Sequence, residues 1–338
     1  MIARSRAGRS GWALAVALTL SAVAAAGCGD MFAQQPGAQT PASEGPRTAP
    51  DDSDLWNLAP ASADAVAELD LAALRASPWS HALTESGLSG ARDEGRRLYG
   101  YDVFTDAERL VMVMSEAGGT MRNLTIVRGT FDPARVAAAF LAATPGAAEG
   151  RWRESRLWEG GDRAVALVTP RTLVAGDPGS VRGAIDAAWG VVPDARTVPL
   201  GGARRALDAD HPGPAAFIAL NVTDQMRGRA AGFLELPPGL ALCAARIDLA
   251  DDLNAQVLGI LDTPASAVAA ATAGTLAVRA YAQNTMVRLL GLSSILNGVM
   301  LGAEGTRVHG RLEIPADRRE GLGDKLNAVL QMVAAARH

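Results

Sequence analysis

The residues able to do chemistry are spread thinly along this chain. Four histidines, His81, His211, His309 and His338, lie far apart, and none stands with Cys, Asp or Glu in a short metal-ligating pattern. Adjacent acids occur at Asp93-Glu94 and Asp251-Asp252, where two carboxylates could divide the roles of acid and base. Neighbouring residues do not share a helix face, and Asp251-Asp252 falls where a turn is expected, so both pairs read as solvated charge. Asp51, Asp52 and Asp54 read the same way, as a solvated boundary. No glycine-rich dinucleotide loop, phosphate-binding Lys loop, Gly-x-Ser-x-Gly elbow or Ser-x-x-Lys pair is present. Gly176-Asp177-Pro178-Gly179-Ser180 resembles an anion loop in outline, but Asp as a cap followed by Pro in the first turn is how a helix starts. The expectation is therefore a protein without catalytic residues, metal or cofactor, with a hydrolase of unrecognised site as a lesser alternative.

Three features invite contact with a ligand. Trp152, Arg156 and Trp158 alternate so that a single strand would place both rings and the guanidinium on one face, a candidate stacking platform for a sugar or an aromatic group. The competing reading is that these rings complete a core poor in aromatics. The run from Met286 to Leu301 is strongly apolar, with Met286, Leu289, Leu290 and Leu296 near helical spacing. It reads first as a buried helix leading into a strand, and second as a lipid or partner surface. Cys243 sits among small apolar residues and reads as buried, since a reactive thiol needs a neighbouring base or cation.

The elements that would carry these residues repeat. Ile126-Val127-Arg128-Gly129-Thr130-Phe131-Asp132 followed by Pro133 and an Ala-rich run is echoed by Val257-Leu258-Gly259-Ile260-Leu261-Asp262 followed by Thr263-Pro264 and a second Ala-rich run. Each reads as a strand feeding a helix, with Asp or Thr as cap and Pro where its missing N–H costs least. Strands are expected at residues 63–71, 107–115, 164–169 and 172–175, and again at 215–222, 241–249, 299–303 and 307–314. Helices are expected at 178–189 and 315–336. Short turns such as Thr169-Pro170-Arg171 and Glu304-Gly305 imply antiparallel hairpins. The expected fold is α+β: two similar halves of mainly antiparallel sheet with helices packed on one face, arising by internal duplication. The boundaries that follow are a first repeat at 55–190, a Pro- and Gly-rich linker at 191–213 and a second repeat at 214–338.

The formal net charge is −4. The first 27 residues hold Arg4, Arg6 and Arg9 and no acid, so taking away these three charges leaves −7 for the rest, which disfavours a nucleic-acid partner. Gly11 to Ala24 is apolar and closes on Ala25-Ala26-Gly27-Cys28. This leader resembles the type II signal peptide of bacterial lipoproteins, with residues 1–27 as signal peptide and Cys28 as the lipidation site. Plain secretion, cut after Ala24 or Ala26, is the runner-up, and a retained anchor fits least because about 20 apolar residues are needed to span a bilayer. The resemblance implies a diacylglyceryl thioether and an N-acyl chain such as palmitate on Cys28, and two such chains give stable anchoring.

Residues 28–54 are rich in Pro, Gly, Ala, Gln, Ser and Thr and read as a disordered tether. The run Leu58 to Trp79 is similar to the openings of uncharacterised envelope lipoproteins of high-GC Gram-negative bacteria. The expected location is the cell envelope, at the outer membrane in preference to the inner, on its periplasmic or surface face. The expected role is a membrane-tethered, non-enzymatic binding or interaction module, with an envelope protein or polymer as partner. A periplasmic lipid or hydrophobic-ligand carrier is the alternative.

Overall fold

The computed structural model describes residues 50–80, 89–117, 119–209, 213–230, 236–289, 291–319 and 322. Cys28, the leader, most of the expected tether, His81, His211, His338 and most of the expected C-terminal helix lie outside the described residues. The described chain forms two compact units, one within Ala24–Leu220 and one from Asn221 onward. Both are α+β, and every strand is antiparallel to the neighbours it pairs with.

In the first unit the strands are β1 (Ala65–Asp70), β2 (Ala107–Ala117), β3 (Thr120–Gly129), β4 (Ala148–Trp152), β5 (Ser155–Gly160), β6 (Arg163–Thr169), β7 (Thr172–Gly176) and β8 (Ala216–Asn221). They lie in the order β8-β1-β2-β3-β7-β6-β5-β4. Helices α1 (Leu71–Ala76), α2 (Ser89–Tyr99), α3 (Pro133–Ala143), α4 (Pro178–Ala188) and α5 (Pro199–Asp208) connect them. Helix starts follow local chemistry: the Asp132 carboxylate accepts from Ala134 N–H and the Asp177 carboxylate from Ser180 N–H, each with Pro next in line. Apolar positions then face the strands, as with Val181, Ala184 and Ile185 of α4, all fully buried.

The unit from Asn221 onward holds α6 (Asp224–Ala230), β9 (Leu240–Leu249), β10 (Leu253–Leu261), α7 (Pro264–Ala282), α8 (Thr285–Leu289), α9 (Ser293–Asn297), β11 (Met300–Glu304) and β12 (Arg307–Ile314). Its strand order is β9-β10-β12-β11. A core of Leu240, Leu261, Ala267, Ala270, Ala271 and Val308 joins α7 to the strands. Thr263 caps α7 through Ser266 N–H, again with Pro next.

Three expectations change. Within the segment 191–213, read as a linker, residues 195–208 hold regular structure. Ala195–Thr197 form a 3-10 turn, and α5 follows with Leu200, Ala203 and Leu207 buried at helical spacing. Pro199 marks the helix start and Gly201 a close approach, since a Cβ at Gly201 would fall within 3 Å of the Arg196 backbone. The Arg151–Trp158 run is a hairpin, not one strand. Arg153 adopts a left-handed φ of 52°, so β4 turns back into β5 through Arg153-Glu154. The Met286–Leu301 run is broken into α8, α9 and β11; Gly291, with φ 69°, separates the two helices, and Leu289 is 76% exposed where a core position was expected.

Candidate functional site

The densest chemistry in the first unit gathers on one face of β1. Alternation puts Val66, Glu68 and Asp70 on that face. Register places Phe217 of β8 beside Glu68 and Arg109 of β2 beside Asp70, so these side chains share it. Glu68 is only 6% exposed. A carboxylate so placed must be bonded, because burying it bare costs many kcal/mol.

Its partners come from two elements laid over the strands. Leu55–Leu58 form a fully buried 3-10 turn capped by Asp54. The Trp56 indole Nε1–H donates to Glu68 Oε2 at 2.8 Å, and its ring meets the edge of Phe217 at 5.6 Å. From α5, Arg204 borders the same face as Leu200, Ala203 and Leu207, and its guanidinium reaches Glu68 Oε2 at 3.1 Å and Asp54 Oδ1 at 2.7 Å. It also lies 4.9 Å over the Trp56 ring and 3.6 Å from Asp208, one helical turn on. Arg109 closes the other side, 3.6 Å from Glu68 and 3.3 Å from Asp70. Burial raises the Glu68 pKa above the usual carboxylate value; Arg204, Trp56 and Arg109 pull it back down, while Asp54 adds to the rise. The arrangement can hold charge in a dry place. Its acceptor and donor atoms face one another, a geometry that fastens elements together.

The same face fixes the point where the chain enters its fold. The Asp52 carbonyl accepts from Arg128 at 3.1 Å, the Asp52 carboxylate accepts from Thr169 Oγ1 at 3.1 Å, and Asp54 is held by Arg204. Downstream, Ala195 N–H donates to Ala59 O at 2.7 Å and Ala61 N–H to Pro193 O at 3.0 Å. Asp52 and Asp54, read as solvated charges, are thus working contacts of the fold. Sequence reasoning missed them because their partners lie 76 to 150 residues away.

The Trp152, Arg156 and Trp158 group has a different geometry from the expected platform. Trp158 on β5 is fully buried and sits opposite Glu149 of β4, with the Arg156 guanidinium 5.0 Å over its ring. Arg156 is exposed and paired with Glu149 at 2.9 Å. Trp152 donates from Nε1 to Asp186 of α4 at 3.0 Å and is covered by Arg182 at 5.0 Å. The rings therefore face packed neighbours, and the two lie on different strands.

Other candidates separate as well. Asp102 receives bonds from Arg92, Arg96 and the Phe104 N–H. Burial would raise its pKa, but these donors hold it at about 2. Cys243 lies on β9 opposite Gly259, and burial pushes its thiol up to about 11, so it stays protonated at neutral pH. Asp252 accepts from Ala316 N–H at 2.9 Å, and Asp251 has an interaction of its own. Among the described residues no cluster of His, Cys, Asp and Glu could hold a metal ion, and no helix is long and apolar enough to cross a membrane.

No protein-family model matches the chain, and no curated protein does. Distant three-dimensional similarity exists to crystal structures of the Treponema protein TP0453. Crystal form III is 12% identical, covers 82% of this chain and 99% of that chain, and gives a TM-score of 0.49. Crystal form I is 11% identical over 81% of this chain and 97% of that chain, with a TM-score of 0.47.

Proposed function

We propose that this protein is a lipid-anchored component of the bacterial cell envelope whose folded body is a non-enzymatic binding or interaction module. The observation that supports it is the grip on the chain where it enters the fold. Asp54, at the end of the expected tether, is bound by Arg204, and the next four residues, Leu55 to Leu58, are completely buried. A body attached through Cys28 would be restrained at that point by the Glu68, Arg204 and Trp56 network. The deepest charges of this face are bonded to one another, which favours holding over turnover.

Connectivity supports the duplicated origin of the body. In the first unit the β2-β3 hairpin leads through α3 to a set of returning strands in which β7 pairs with β3 and β6 lies outside it. In the other, the β9-β10 hairpin leads through α7 to a return in which β12 pairs with β10 and β11 lies outside. The same path is traced twice, and the first unit inserts the β4-β5 hairpin into it.

The test is mass spectrometry of the mature protein purified from its native envelope. The expected N-terminal peptide starts at Cys28 and carries diacylglyceryl and acyl groups; an N-terminus at Ala25 or Gly27 with an unmodified Cys28 would reject the anchor. A partner recovered by crosslinking supports the module reading, whereas lipid bound in excess of the anchor favours the hydrophobic-ligand carrier.

A further inference from the structure

Helix α7 is built inside out. The residues it turns toward the strands are small, Ala267, Ala270, Ala271, Gly274 and Ala277, with Val278. Toward solvent it shows Ala265, Val268, Ala269, Thr272, Ala273, Leu276 and Ala280, with Val268 58% and Leu276 62% exposed. A helix at a water surface ordinarily carries charge on that side. This one carries a single charge, Arg279. The neighbouring α8 continues the pattern: it packs against α7, and its Leu289 is 76% exposed. Among the described residues, Leu141 on α3 and Met300 on β11 are the only other large apolar side chains that stand exposed.

Charge sharpens the picture. From Thr263 to Ala303 the sequence has no Asp, Glu, Lys or His, and its charges are Arg279 and Arg288 alone. Both are exposed, and neither meets a carboxylate among the described residues, whereas Arg92, Arg109, Arg128, Arg153, Arg182 and Arg204 of the first unit are all ion-paired. An apolar surface with unpaired cations and no anion suits one environment above others, the headgroup zone of an anionic bilayer, where apolar side chains reach the acyl boundary and guanidiniums meet phosphates. A second copy of the same surface would bring its arginines against like charges and offer them no acid.

We propose that the face formed by α7 and α8 is a docking surface for anionic phospholipid, with Val268, Leu276 and Leu289 seated in the interface and Arg279 and Arg288 on lipid phosphates. This goes beyond the anchor at Cys28 and does not depend on it. The test uses residues 28–338 carrying Cys28→Ser, so that no acyl chain contributes, sedimented with vesicles of phosphatidylcholine alone or mixed equally with phosphatidylglycerol. Binding to the mixed vesicles is expected to exceed binding to the neutral ones by roughly ten-fold and to fall with salt. The pair Arg279→Glu and Arg288→Glu removes that preference, and the pair Leu276→Asp and Leu289→Asp lowers binding to both vesicle types. Leu141→Asp, on the other unit, leaves it unchanged. Each variant changes exposed side chains only, and circular dichroism verifies its fold. Absence of binding overturns the proposal, as does binding that ignores the face variants. A dimer in free solution that Leu276→Asp dissolves would give the face to a second copy and overturn it too.

Discussion

Helices α5 and α7 use opposite means to meet their surroundings. Helix α5 turns Leu200, Ala203 and Leu207 inward and uses Arg204 to draw Asp54, Glu68 and Trp56 into one bonded group. Helix α7 turns alanines inward and leaves Val268 and Leu276 outside with no acid nearby. One region spends its charge on holding itself together; the other keeps an apolar face open, with two arginines and no acid. Stability should therefore be concentrated at the first and contact with other molecules at the second.

Breaking the first region should cost most. Arg204→Ala leaves the Glu68 carboxylate buried with Arg109 and Trp56 as its remaining partners, and urea unfolding should show a loss of about 3–5 kcal/mol. Combining it with Glu68→Gln should restore part of that loss, because the uncompensated charge is gone. Trp56→Phe keeps the ring against Phe217 but deletes the indole donor, with an expected cost of about 1–3 kcal/mol. By contrast, Val268→Asp on α7 should stay within about 0.5 kcal/mol of the parent, as for other exposed sites. A large loss there would show that the face is structural.

Acid titration divides the chain's buried carboxylates by sign. Glu68 has a folded pKa raised above 4.5, mainly by burial, so its contribution is present below pH 4.5 and is lost as pH rises through the folded value. Asp102 is lowered from 3.8 to about 2, so its contribution is present above pH 3.8 and is lost as pH falls toward 2. Unfolding free energy measured against pH should accordingly rise at neutral pH relative to acid in Glu68→Gln. In Asp102→Asn the acid-side fall should flatten. The reverse pattern would reassign which group carries the buried charge.

A smaller loss is expected at Asp54. Asp54→Ala removes a cap and one Arg204 contact, at about 1 kcal/mol, and should speed hydrogen exchange at Trp56 and Asn57 without touching α7.

Strand positions were legible in the sequence wherever alternation and turn chemistry agreed. Residues 107–115, 164–169 and 307–314 all became strands within a few residues, and the Asp-Pro and Thr-Pro caps marked helix starts correctly. Helix α5 was hidden because Pro199, Gly201 and Gly202 look like linker, while the contacts that hold it, Arg204 to Asp54 and Glu68, come from far earlier in the chain. The tryptophan hairpin was hidden by Arg153, a non-glycine in the left-handed region that no composition rule anticipates. The Glu68 site was illegible for a different reason. Asp54, Glu68, Arg109 and Arg204 span 150 residues, and it takes the sheet register and two elements outside the strands to bring them together. The apolar face was half visible, since the Met286–Leu301 run stood out, whereas the outward side of α7 needed the fold to show which alanines were covered.

Hydrogen exchange on residues 28–338 carrying Cys28→Ser, compared in neutral and anionic bilayers, tests the contrast most directly. The account predicts added protection on anionic bilayers at the solvent-facing turns of α7 and α8, with Trp56, Glu68 and α5 slow and unchanged in both. Protection that appears instead around the Glu68 network, or no difference between the two bilayers along residues 264–300, would contradict it.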